Sequence, residues 1–302
     1  MEKKIKTIFD GNIELLERAD KTIYFLRRQQ MTNADPEIVG TIDFLHLFAK
    51  DLIEVVAYFE EAQKEFSADD FFYVLQQILD AVKTEDYVWL ADLFELKLVP
   101  FICMVQEIII QKEGYTYQSQ CYHNNLDVFS ESNKELYKEL KRPTEPEKLL
   151  KNGYSVEFTT SGRMTLARDA EEGKRYFHTN GHIALEAFLL ADSWKKDGVL
   201  EYHIYGLGMS YPVWELKKMC PEATIYVYEN HLDIIRLAAN FVDMTELWSE
   251  KVVLVYDPDL DKLKEAYSEK NAQEDVKFVA LQAELAFVED EEIKNLFVRD
   301  EK

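Results

Sequence analysis

The sequence predicts an α/β fold, with an N-terminal α-helical bundle followed by a Rossmann-like, mostly parallel sheet that carries a β-hairpin. Three observations point to it. Apolar residues recur at three- and four-residue spacing over residues 1 to about 142. Past residue 200, four short apolar runs alternate with helical segments. The first of those runs ends in a glycine turn, Gly206-Leu-Gly-Met-Ser210. The expected division is 1–145 for the helical domain and 146–302 for the Rossmann-like domain.

In the first half, Ile5, Ile8, Phe9, Ile13 and Leu16 share one helix face, and Ile38, Ile42, Leu45, Phe48, Leu52 and Phe59 share another. Ser67 with Asp70 three residues on has the form of a capping box and opens a third helix through Phe71, Leu75 and Ile78. A fourth helical stretch runs from about 86 to 112, where Pro100 is expected to kink or split it. Ser132 followed by Glu135 marks a further short helix. These elements read as a bundle with short connections. Arg142-Pro-Thr-Glu-Pro146 is the best linker candidate.

After the linker the period changes. Tyr154 to Thr159 alternates as a strand, Ser161-Gly162 turns, and Met164 to Ala167 returns, which makes a hairpin. A helix is expected near 181–195. Strands are then expected at 202–205, 224–229, 252–256 and 276–281, with helices at about 211–219, 231–241 and 259–267. The β-branched and aromatic runs suit buried parallel strands, and βαβ connections are right-handed.

Bulk properties narrow the function. The chain has 302 residues and a net charge of −22. So acidic a surface repels phosphate backbones and anionic lipid, so neither nucleic acid nor a membrane is expected as main partner. Cys103, Cys121 and Cys220 are odd in number and widely spaced, against a disulfide framework or a thiolate zinc site. Cys103, in an apolar run, reads as buried core. The polar N-terminus lacks a signal-peptide apolar stretch, and a cytoplasmic setting is expected. Aromatic residues make up 13%, enough for a core or for a protein-partner or homo-oligomer interface.

In open α/β sheets ligands sit beyond the carboxyl ends of the strands. The candidate binding residues are therefore those of the first turn, Gly206, Leu207, Gly208, Met209, Ser210 and Tyr211, with Glu229, Asn230 and Asp257 after the next two strands. Glycines let a ligand approach the backbone, and a helix N-terminus favours anions. Glu229 stands 21 residues past Gly208, where an acid would meet ribose hydroxyls. Asn230 also suits an N-cap, and Asp257-Pro258 a helix start. The turn lacks a third glycine, with Ser210 and Tyr211 at the positions where GxGxG and GxGxxG would have one. His178 and His182 are four apart, as in a metal pair, but Asn180-Gly181 between them reads as a helix start, and no metal is expected. His203 reads as a packed strand residue. Tyr211 and His231 lie near the expected cleft, but no general base or nucleophile stands out.

The run His203-Ile-Tyr-Gly-Leu-Gly-Met-Ser-Tyr211, Glu215-Leu216, Pro221, Thr224 to Glu229, Asp233 to Ala238 and Val242-Asp243 resembles the N-terminal region of the motility-associated glycosyltransferase family, linked to flagellin glycosylation. Those proteins carry a Gly-x-Gly-x-Gly-Tyr loop, a strand ending in an acid, and a helix of similar register. The resemblance covers 50 to 90 residues. It implies a nucleotide- or sugar-nucleotide-binding module without a complete catalytic core, because the family's core lies downstream. The same elements resemble the first half of class I methyltransferases, which would imply S-adenosylmethionine as cofactor and Asp257 near the adenine. The third reading is a non-enzymatic interaction protein.

Overall fold

The structure, a computed structural model, describes residues 2–62, 66–114, 119–142, 144–171, 173–179 and 181–298. The chain forms two compact units. One comprises 1–116 with 158–163 and 180–185. The other comprises 117–157, 164–179 and 186–302. The expected cut at 145 does not coincide with this division. In the expected linker, Pro143 lies outside the described residues, and Pro146 opens a short helix, Pro146–Leu150.

The first unit is helical: Glu2–Arg27, Met31–Ala62, Ala68–Lys83, Tyr87–Leu93 and Val99–Glu113. The apolar faces read from the sequence supply its core. Leu45, Leu52, Phe59, Phe71, Ile78, Phe94 and Ile102 are fully buried, and each large side chain taken from water contributes about 1.5–3 kcal/mol. The Phe71 ring stacks on Phe101 with centroids 4.9 Å apart and meets Phe48 edge-on at 5.1 Å. Ser67 caps its helix, its hydroxyl accepting from Asp70 N–H at 3.1 Å.

The expected split is found at Pro100, which stands in the first turn of Val99–Glu113. A π-turn at Phe94–Leu98 precedes it, and Val99 N–H donates five residues back to the Phe94 carbonyl. Proline lacks the N–H and crowds the carbonyl four residues back, and the wider π-turn just before it shifts the hydrogen-bond register. Cys103 is half-buried instead of fully buried, and burial pushes its thiol up to about 11. Gln106, fully buried, donates from Nε2 to the carbonyls of Phe9 and Ser161, both at 3.1 Å, and so holds the 158–163 turn in this unit.

The second unit holds two sheets. The hairpin strands β1 (Tyr154–Phe158) and β2 (Met164–Ala170) are joined by a strand the sequence did not indicate, β3 (Gly173–Tyr176), in the order β1-β2-β3. β2 and β3 run antiparallel, with Ala167 opposite Tyr176. The four apolar runs form a parallel sheet of β4 (Glu201–Tyr205), β5 (Thr224–Glu229), β6 (Val252–Tyr256) and β7 (Val276–Ala280). Its order is β6-β5-β4-β7. Tyr202, Ile204, Ile225 and Val227 are fully buried, as strands covered on both faces require.

Helices Ser119–Ser132 and Lys134–Leu140 belong to this unit. Buried Asn125 donates from Nδ2 to the carbonyls of Ala239 and Val242 and accepts Met244 N–H, which ties its helix to the end of Leu232–Phe241. The cap expected at Ser132 falls one residue later. Asn133 accepts from Leu136 N–H at 3.1 Å, while Ser132 closes the preceding helix. Asn fits this role because its amide also donates to the Leu254 carbonyl at 2.6 Å. Among the described residues no helix is long and apolar enough to cross a membrane.

Candidate functional site

β4 is flanked by β5 on one side and β7 on the other. The chain steps outward from β4 to β5 to β6 and then returns to pair β7 with β4. This reversal creates the crevice at which open α/β sheets take ligands. The Gly206 turn leaves β4 at this crevice and leads into helix Tyr211–Met219. The geometry demands glycine twice, with φ at 95° for Gly206 and 50° for Gly208.

The turn's amides face inward and are all used. Leu207 N–H donates to Glu229 Oε2 at 3.2 Å. Gly208 N–H donates to Glu284 Oε1 in a short contact. Met209 N–H donates to His178 Nε2 at 2.9 Å. The three acceptor residues are buried. Where a phosphate or cofactor oxygen would be cradled, the protein supplies two carboxyls and an imidazole of its own. The close approach that glycine allows is also made from within. A Cβ at Gly208 would meet His178 Nε2 at 2.5 Å and Leu281 Cδ2 at 2.9 Å, and one at Gly206 would meet Leu281 Cβ at 3.0 Å.

Glu229 sits at the end of β5 as expected, with no exposure. Its second oxygen, Oε1, accepts His231 N–H at 2.8 Å. One carboxylate thus staples the β4 and β5 loops together through backbone donors. Glu284 comes from Gln282–Leu285, the short helix after β7. Burial first, then the Glu229 charge, push its carboxyl well above the usual carboxylate range. Glu284 Oε2 is buried beside Glu229, and a hydrogen bond between the two carboxyls adds to the upward shift. Burial likewise pulls His178 down to about 3, so its ring is neutral and can accept from Met209. The neutral ring stands edge-on to Tyr211, centroids 5.2 Å apart.

The other expected residues have structural partners. Ser210 is buried, in the left-handed region with φ 66°, and its hydroxyl has no partner among the described residues. This is the position of the missing third glycine, and the positive φ explains why that residue type suits it. Ser210→Gly is expected to raise stability by about 1 kcal/mol, because it relieves both the backbone strain and the unpaired hydroxyl. A urea melt checks this, and a loss of stability would contradict it.

Tyr211 donates its hydroxyl to the Met164 carbonyl at 2.8 Å. Asn230 is not the N-cap expected. His231 takes that position without a side-chain hydrogen bond, and Asn230 Oδ1 accepts the Tyr205 hydroxyl at 3.0 Å. Buried Asp257 accepts Leu263 N–H at 3.0 Å and so serves the start of helix Asp261–Lys270, but Pro258 lies before that helix instead of in its first turn. His231 Nε2 lies 3.0 Å from Arg168 Nη1, and since a guanidinium only donates, the ring accepts there. His203 is packed as expected, between Tyr226, Tyr228 and Phe278, with Tyr228 Oη 2.9 Å from Nδ1.

His178 and His182 serve different partners. His182 Nδ1 lies 3.0 Å from Asp20 Oδ2, within the helical unit. Asn180 between them lies outside the described residues. Among the described residues no group of three or more His, Cys, Asp or Glu side chains is placed to hold a metal ion.

Sequence reasoning missed Glu284 and Arg168 and gave His178 no part in the Gly206 turn. The signal for Glu284 was an acid four residues past the end of the fourth strand, which becomes meaningful once that strand is known to lie beside β4. Comparison of the chain with protein-family models, with curated proteins and with solved structures finds no match.

Proposed function

We propose that the sheet unit is a small-molecule binding module for a nucleotide-type ligand, a sugar nucleotide first, seated on the Gly206 turn. The ligand enters by displacing the Glu284 carboxyl. One observation carries the reading. At the crevice between β4 and β7, Gly208 N–H is aimed at a carboxyl oxygen, the same acceptor chemistry that a phosphate oxygen offers. That carboxyl is held at a cost, buried beside a second acid. A ligand oxygen that satisfied the same donor would release it. The resemblance of the Gly206 to Asp243 run to the N-terminal region of motility-associated glycosyltransferases supports the same ligand class. No residue of the crevice is assigned a role in transfer chemistry.

A second reading has its own support. Leu207, Gly208 and Met209 N–H are all satisfied internally, as suits a closed scaffold in an interaction protein. Calorimetry with UDP-N-acetylglucosamine and with S-adenosylmethionine separates the two, using the native chain and Glu284→Ala. The binding reading expects saturable heat with the sugar nucleotide and at least about tenfold tighter binding to Glu284→Ala, a gain of about 1.4 kcal/mol. Saturation by S-adenosylmethionine alone would move the ligand class to adenosyl compounds. No binding to either folded protein would leave the closed scaffold as the function of this turn.

A further inference from the structure

An anionic ligand at the Gly206 turn needs a positive charge to meet it, because the chain carries a net charge of −22 and repels anions at a distance. The turn supplies none of its own. Lys217, the nearest lysine or arginine along the chain, donates to the Glu246 and Leu247 carbonyls. The hairpin sheet of the same unit brings two. Arg168 on β2 stands opposite Arg175 on β3. Cross-strand partners project from the same face of a sheet, and like charges so placed destabilise it. Both guanidiniums lie against the Phe287 ring, their central carbons 4.8 and 5.6 Å from its centroid. Neither forms an ion pair among the described residues. The other face of the same two strands is arranged differently. There Lys174, opposite Asp169, reaches Glu157 at 3.2 Å.

Arg168 is tied to the crevice. It is half-buried and donates from Nη1 to His231 Nε2 at 3.0 Å. His231 N–H donates to Glu229 Oε1, and Glu229 Oε2 accepts Leu207 N–H of the turn. Three hydrogen bonds thus lead from the guanidinium to the turn. Burial pulls His231 below its ordinary value, so the ring is a neutral partner and leaves the Arg168 charge uncancelled. Phe287 stands three residues past Glu284, the acid that accepts Gly208 N–H. We propose that Arg168 and Arg175 form a diphosphate clamp at the mouth of this crevice, one guanidinium on each phosphate of the sugar nucleotide. The identity of the ligand rests on the reading of the Gly206 turn, whereas the clamp can be tested alone. A diphosphate fits these features together. Each guanidinium offers a planar fork of donors that matches phosphate oxygens. Phe287 holds both forks at one place, and an anion between them removes the cross-strand repulsion. A cationic ligand would meet two like charges.

The test titrates sodium pyrophosphate into the full chain at low ionic strength, followed by calorimetry and by the arginine Nε–H signals in NMR. Saturable binding that shifts the Arg168 and Arg175 signals is expected. Arg175→Gln should weaken it at least about tenfold. Arg175 is exposed, so that variant should melt unliganded at or above the native temperature, its repulsion with Arg168 removed. Lys174→Gln, on the other face, should bind pyrophosphate as the native chain does. UDP-N-acetylglucosamine should lose the same factor in Arg175→Gln, while uridine, which has no phosphate, should not distinguish the two proteins. Absence of saturable pyrophosphate binding to the native chain would overturn the clamp. So would equal losses in Arg175→Gln and Lys174→Gln, which would mean that overall charge alone attracts the anion. Pyrophosphate binding without binding of UDP-N-acetylglucosamine would keep the clamp and end the sugar-nucleotide reading. Sugar-nucleotide binding that Arg175→Gln leaves untouched would keep that reading and overturn the clamp.

Discussion

Gly208→Val is expected to destabilise the sheet unit by about 3 kcal/mol, the sum of left-handed backbone strain and overpacking. The added Cβ would press on His178 Nε2 and Leu281 Cδ2 at 2.5 and 2.9 Å. Both neighbours are buried, and His178 is fixed by the hydrogen bond from Met209. A β-branched residue at φ 50° adds strain that no repacking relieves. The loss needs no ligand, because the crowding comes from the protein's own side chains. A chemical melt of the unliganded protein measures it. Stability unchanged to within about 0.5 kcal/mol would show that His178 and Leu281 do not close over the turn.

The second large effect concerns Glu284 and pH. Its folded-state pKa is raised, by burial and by Glu229. A carboxyl of this kind contributes stability in full below its unfolded value, about 4.3. That contribution is lost as pH rises toward and through the folded value, because the folded state must then ionise a buried group. Glu284→Gln mimics the protonated form: its carbonyl oxygen still accepts Gly208 N–H, and its amide has hydrogens to offer Glu229. The variant should therefore match the native protein near pH 4 and exceed it increasingly above, by up to about 1.4 kcal/mol per pH unit. Glu284→Ala removes the acceptor and is expected to cost about 1–3 kcal/mol below pH 4. Urea midpoints across the pH range read both variants. Parallel curves for the native chain and Glu284→Gln would contradict the assignment.

The elements were legible because periodicity is a local property. The strands at Thr224–Glu229 and Val252–Tyr256 and the helix Tyr211–Met219 fall where the apolar pattern puts them. Caps were legible where one residue had one job, as at Ser67, and misplaced where tertiary partners competed. Asn133 caps its helix because its amide also reaches Leu254, and Asn230 caps nothing because Tyr205 takes its oxygen. β3 escaped notice because Gly173–Tyr176 is exposed throughout and has no apolar alternation to read. At the Gly206 turn the sequence singled out a backbone and an acid, Glu229, that the structure joins by a hydrogen bond. It did not show what fills the crevice, since Glu284 and His178 reach it from β7 and from beyond β3. Their approach depends on strand order, which spacing along the chain does not encode. The role of Ser210 became readable only from its positive φ.

The Glu284 carboxyl on Gly208 N–H is the central element of this account, and NMR observes both ends of that bond. The Glu284 side-chain carbonyl carbon and the Gly208 amide proton should titrate together, with a shared midpoint well above the ordinary glutamate value of about 4.3. The Gly208 proton should also sit downfield throughout, as a hydrogen bond to a carboxyl oxygen requires. A Glu284 carbon titrating near 4.3, with the Gly208 amide indifferent to it, would mean that the carboxyl is in water and the turn's amides are open.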